Sequence, residues 1–145
     1  MPEFSLQPLL DLMKEKNDEA TRRLGQLIAA ENNEKKRLQM LENYRTEYAT
    51  KFVADSKIGL SQMMLLNYRD FLARIDEAIT AQTAAVAKSE ENTAQGKKEW
   101  QKQNTKMKAI NTLKGRFDKQ NAYLENKREQ KMLDEFSCRS RPKNI

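Results

Sequence analysis

The sequence predicts an all-α fold, an antiparallel two-helix coiled-coil hairpin with unequal arms. Three observations carry that prediction. The prolines are Pro2, Pro8 and Pro142, so residues 9 to 141 of a 145-residue chain hold no proline helix breaker. That stretch is rich in Ala, Leu, Met, Glu, Gln and Lys, the residues that lose least on entering a helix. Apolar residues recur at the seven-residue spacing of a coiled-coil seam on both sides of one turn signal.

Helix 1 is expected over about 6–52. Pro8 fits a first helical turn, where its missing N–H would have no intrahelical partner. One seam register reads Leu6, Met13, Ala20, Leu27, Glu34, Leu41, Tyr48; the other reads Leu10, Asn17, Leu24, Glu31, Leu38, Arg45, Phe52. Ten of these fourteen are apolar, more than scatter would give in a chain only 38% hydrophobic. A turn over 53–61 follows from Ala54-Asp55-Ser56-Lys57-Ile58-Gly59, with Ser61 placed to cap the next helix.

Helix 2 is expected over about 62–137. Its first register, Leu65, Leu72, Ile79, Val86, Thr93, Trp100, Met107, begins apolar. The second, Tyr68, Ile75, Gln82, Ser89, Gly96, Gln103, Ile110, Phe117, Leu124, is polar in its middle. A hairpin centred near residues 57–58 sets Glu31 and Glu34 opposite Thr80–Ala84, which predicts a loosely packed or locally open middle. It also leaves helix 2 without a partner beyond about residue 109, so Ile110, Leu113, Phe117, Leu124, Met132 and Phe136 must meet solvent, another chain or a socket. At 1.5 Å per residue the arms are about 70 Å and about 110 Å long. Residues 138–145 read as a disordered tail, and the whole chain, 1–145, as a single domain with too little interior to be more than marginally stable.

Composition excludes most chemistry. There is no histidine, the commonest general base and zinc ligand, and Cys138 is the only cysteine. No disulfide within the chain is possible, and a reducing compartment follows as the expectation. No apolar run approaches the ~20 residues of a membrane span, and the N-terminus lacks the basic start and apolar core of a signal peptide. A soluble intracellular chain is therefore expected. Glycine-rich phosphate loops, paired cysteines and metal-binding helix motifs are absent. Pairs such as Glu90-Glu91 and Asp134-Glu135 sit on polar helical stretches, where nothing shifts a carboxylate toward acid–base work. The chain is read as no enzyme, with no cofactor and no metal.

The formal charge of +6 is local. Residues 96–145 carry 14 basic and 6 acidic side chains, whereas the first 95 carry 13 and 15. An acidic protein surface, nucleic acid and a plain solvated face all accommodate such an end. No known nucleic-acid-binding module appears in the sequence. Two stripes at i, i+3/i+4, i+7 spacing, Leu41, Tyr44, Tyr48 and Phe71, Ile75, Ala78, lie at one level of the hairpin, with Tyr44 set opposite Phe71. They are either a thicker core near the turn or an exposed protein-binding patch.

The run Glu125-Asn126-Lys127-Arg128-Glu129-Gln130-Lys131-Met132-Leu133-Asp134-Glu135-Phe136 resembles the signature of the FliJ family of the bacterial flagellar export apparatus. Leu41-x-x-Tyr44-x-x-x-Tyr48, Asn67-Tyr68-x-x-Phe71, Trp100 and the total length agree with it. The resemblance implies a non-enzymatic hairpin similar to the central stalk subunit of rotary ATPases. It implies that the free helix ends enter the hexameric flagellar export ATPase, with Arg128, Gln130, Lys131, Asp134 and Glu135 as the contact residues. The surface for the cytoplasmic domain of the export gate membrane protein would be Leu41, Tyr44, Tyr48, Phe71, Ile75 and Ala78, continued by Arg37 and Gln82. Export chaperones are further implied partners, nucleic acid and direct membrane insertion are not, and the implied location is cytoplasmic, peripheral to the inner membrane at the flagellar base. A stalk protein of a virulence type III secretion system is the alternative, and a basic nucleic-acid-binding helical protein the third.

Overall fold

The structure, a computed structural model, describes residues 3–140. Two helices fill it: α1, Gln7–Ile58, and α2, Gln62–Ser140, with no strand among the described residues. The arms have 52 and 79 residues, unequal as expected.

The helix ends correct three boundaries. α1 continues past Phe52 to Ile58, and the link is only Gly59, Leu60 and Ser61 rather than a turn over 53–61. Polar residues in Ala54–Ile58 suggest a turn, but none of them forces the backbone out of the helix. Gly59 does: it sits at φ 109°, where only glycine is unstrained, and its N–H closes the helix on the Asp55 carbonyl at 3.1 Å. Ser61 then caps α2 as expected, its Oγ accepting from the Met64 N–H at 3.2 Å. At the far end α2 runs through Cys138 to Ser140, where a disordered tail was expected. Nothing between Ser137 and Ser140 breaks a helix, and Arg139 places a cation in the last turn, where the helix dipole favours it. The rest of that expected tail, residues 141–145, lies outside the described residues.

The chain divides into two compact units, and both helices contribute to each. In the unit Ala20–Trp100 the two helix segments run antiparallel from the Gly59 link. Tyr68, Ile75 and Val86 are buried along α2, with Leu27, Leu38, Leu41, Tyr48 and Phe52 half-buried on α1. Two other seam residues pack in ways their sequence positions alone do not suggest. Gly96 is buried because Leu27 lies over it; a Cβ there would come within 2.5 Å of Leu27 Cδ1. Trp100 is half-buried, and its indole Nε1 donates to Thr21 Oγ1 at 2.9 Å.

The middle of this unit is polar but not open. Gln82 Nε2 donates to the Glu34 carbonyl at 2.9 Å and to its carboxylate at 2.5 Å. Thr93 Oγ1 donates to the Leu27 carbonyl at 3.3 Å, and Lys35 joins Glu31 at 3.4 Å to Glu90 at 3.6 Å across the pair. These polar seam residues therefore find partners, on the other helix or beside them, because burying them unpaired would cost more than an apolar layer.

The second unit combines the chain up to Glu19 with Gln101 onward. Leu10 is fully buried, and Met13, Asn17, Met107, Ile110 and Phe117 are half-buried at seam spacing. The expectation that α2 lacks a partner beyond 109 fails here: Phe4 lies against Phe117, ring centroids 5.3 Å apart. The longer α1 moves the hairpin's centre to Gly59–Ser61, so pairing reaches further along α2. From 122 to 139 every position is exposed, including Leu124, Met132, Leu133 and Phe136. Across both units only Leu10, Ala20, Tyr68, Ile75 and Val86 form a buried apolar core among the described residues, consistent with a fold short of interior.

Candidate functional site

An apolar groove opens between α1 and α2 near the link, with a volume of about 410 Å³. Leu41, Tyr44, Tyr48, Phe71 and Ile75 line it, so five of the eight residues expected on one surface come together. The two readings of these stripes, core or exposed patch, each hold for part of them. Ile75 is buried and Leu41 and Tyr48 half-buried, whereas Tyr44 is 55% and Phe71 44% exposed. The inner residues form the floor and the outer aromatics form the walls.

Aromatic contacts set the level of the groove. Tyr48 lies 4.2 Å from Phe71 between centroids and 5.1 Å from Tyr68, which meets Phe52 edge-on at 5.2 Å. Phe71 thus pairs with Tyr48, one turn nearer the link than the expected Tyr44, for the same reason that the hairpin's centre moved. Glu47 and Lys51 also line the groove and were not among the expected residues. Each lies three residues beyond a groove tyrosine on the same helical face, but polar residues leave no trace in an apolar stripe. Arg37, Ala78 and Gln82 are not in the groove lining. Arg37 is exposed and Gln82 half-buried, and both meet Glu34: Arg37 Nη1 stands 3.8 Å from its carboxylate, which Gln82 also holds.

Two polar contacts brace the groove. Arg45 donates to Asp76 across the helices, and this hydrogen bond and charge hold the guanidinium above its ordinary range. The Tyr68 hydroxyl donates to the Asp55 carboxylate. That bond first, then burial and the negative charge of Asp55, push the Tyr68 phenol up to about 12. A phenol whose folded pKa lies above its ordinary value of 10.0 stabilises the fold fully below that value, and the contribution is lost as pH rises toward 12. Denaturation midpoints of the natural chain are therefore expected to fall between about pH 10 and 12 more steeply than those of Tyr68→Phe. Parallel curves would show that the hydroxyl does not protect the fold.

At the other end of α2, Arg128, Gln130, Lys131, Asp134 and Glu135 are all helical and exposed. At 100° per residue they divide into two faces, Arg128, Lys131 and Glu135 on one and Gln130 with Asp134 on another. Met132, Leu133 and Phe136, 65% exposed or more, lie in a third sector with Glu125 and Glu129 among them. One helix end thus shows different mixtures of charged, polar and apolar side chains in different directions.

Among the described residues no cluster of His, Cys, Asp and Glu gathers to hold a metal, and no helix is long and apolar enough to cross a membrane. Cys138 is a free, exposed thiol.

The family model for the flagellar FliJ protein matches residues 2–141. Flagellar FliJ proteins of Salmonella typhi and Escherichia coli are each 26% identical over 136 residues, 94% of this chain and 92% of theirs. The solved structure of a YscO homologue from Chlamydia trachomatis has the same fold, with a TM-score of 0.61, 16% identity and coverage of 94% of this chain and 93% of that one.

Proposed function

Because the chain belongs to the FliJ family, and so is a non-enzymatic component of flagellar protein export, we propose that it is the stalk of the export ATPase complex. In this reading the C-terminal end of α2 seats in the hexameric export ATPase, and the groove near the link binds the cytoplasmic domain of the export gate. Export chaperones are further partners, and the site of action is the base of the flagellum on the inner side of the membrane.

The observation that carries the proposal is the stretch 122–139, helical and exposed at every position. A helix keeps a charged, exposed end of that length only if its apolar side chains are tolerated in water or covered by another molecule. Met132, Leu133 and Phe136 are too exposed and too close together to read as scattered surface residues. A single helix in a six-fold hole cannot present one chemistry to all subunits. Its chemically different sides meet different subunits and bias them toward different nucleotide states, which is how a passive rod stimulates hydrolysis. The basic excess of residues 96–145 favours an acidic lining of that hole.

Adding the purified chain to the export ATPase tests this. Hydrolysis is expected to rise and to saturate at about one chain per hexamer; no stimulation at any ratio would refute the stalk role. The fold shared with the YscO homologue supports a second reading, a stalk in another type III secretion system. Stronger stimulation of a non-flagellar export ATPase than of the flagellar enzyme would favour it.

A further inference from the structure

The groove is built from one stripe on each helix, so its shape depends on how α1 and α2 are aligned along their length. The link holds that alignment through the hydrogen bond from Tyr68 to Asp55 and through Gly59, whose backbone ends α1. Unwinding Ala54–Ile58 and breaking that bond would let α1 slide by one heptad, which keeps every seam residue in the seam but moves Leu27 off Gly96 and Arg45 off Asp76. The seven-residue spacing alone therefore does not choose between the two alignments; particular contacts do.

Glu34 does discriminate. Its side chain is 27% exposed, and all three of its oxygens are used: the carbonyl and one carboxylate oxygen accept from Gln82 Nε2, while the other carboxylate oxygen faces Arg37. A heptad slip toward the link would move Gln82 away and set the carboxylate near Ile75, leaving a charge in an apolar layer without a donor from α2, whereas a slip the other way would bring it to Ser89. The bond thus weighs against the slip toward the link.

We propose that Glu34 is a positioning residue for the groove: through Gln82 it fixes the alignment of α1 on α2 that brings Tyr48 against Phe71, and through Arg37 it orders the surface beyond Leu41. The link to export-gate binding rests on the function proposed above; the alignment itself does not. A polar pair at this level is a liability for stability, since a leucine layer would pack better, so it is retained for specificity of pairing.

The test uses spin labels at Lys36→Cys and Lys98→Cys, exposed sites on opposite helices staggered by about two heptads so that a slide changes their separation, in the full chain with Cys138→Ser. The distance distribution is expected to be single and narrow in the natural background and in Glu34→Gln, which keeps acceptors for Gln82. Glu34→Leu with Gln82→Leu is expected to melt higher and yet to show a second population displaced by about 10 Å, one heptad of helix rise. One narrow population in that double variant, at the original distance, would overturn the proposal. Affinity for the gate's cytoplasmic domain should fall in proportion to the displaced fraction, twofold when half the molecules slip. A displaced population without that fall would leave the alignment role standing and refute gate binding at the groove.

Discussion

Replacing both groove walls, Tyr44→Ala with Phe71→Ala, is expected to weaken binding of the export gate's cytoplasmic domain about a hundredfold while stimulation of the ATPase is unchanged. The magnitude follows from the anchors. Two aromatic side chains at the mouth of an apolar groove are the residue types that dominate interface energies, and truncating each at a hot spot costs ~2 kcal/mol or more before non-additivity is allowed for. The selectivity follows from exposure. Tyr44 and Phe71 are about half in water, so their removal opens little core, whereas Ile75→Ala beneath them would cost roughly 2–4 kcal/mol of stability. Equilibrium binding to the isolated gate domain, with circular dichroism on the same samples, checks both parts. Loss of binding together with loss of helicity would mean that the aromatics act as core rather than as a docking surface.

Reversing two charges at the other end, Arg128→Glu with Lys131→Glu, is expected to reduce stimulation of the ATPase tenfold or more and to leave gate binding intact. Both residues share one helical face and are exposed, so the change leaves the buried core alone while turning a basic sector acidic. Against an acidic lining each reversal replaces attraction with repulsion. The defect should shrink as salt rises, since exposed charges are screened within a Debye length of about 8 Å at physiological ionic strength. Stimulation equal to that of the natural chain at low salt would remove this face from the contact.

The seam was legible because coiled-coil spacing is a local property of sequence. Leu10, Ala20, Tyr68, Ile75 and Val86 are buried at the expected registers, and the exposed seam residues, Leu6, Arg45, Leu65 and Leu124, lie near a helix end, beside the link or in a polar layer. What sequence left unresolved was alignment between the helices. The polar run Ala54–Ile58 looked like part of a turn, whereas Gly59 alone ends α1. That difference moved the centre of the hairpin, and with it the partner of Phe71 and the reach of α2 beyond residue 109. The same cause hid Glu34. Its carboxylate reads as a defect in an apolar repeat until the alignment places Gln82 opposite, and only then is it a satisfied contact. Glu47 and Lys51 escaped notice for a different reason: a groove's polar rim follows from three-dimensional position and leaves no periodic mark.

Two separable surfaces on one non-enzymatic chain form the centre of the account, and reconstitution of three components tests them together. Purified ATPase hexamer, gate cytoplasmic domain and the natural chain are mixed and resolved by size-exclusion chromatography with light scattering. One assembly containing all three is expected, absent when the chain is omitted, and lost with either Tyr44→Ala/Phe71→Ala or Arg128→Glu/Lys131→Glu. In each variant one of the two binary complexes should survive, a different one in each case. Mutually exclusive binding of ATPase and gate to the natural chain would contradict it.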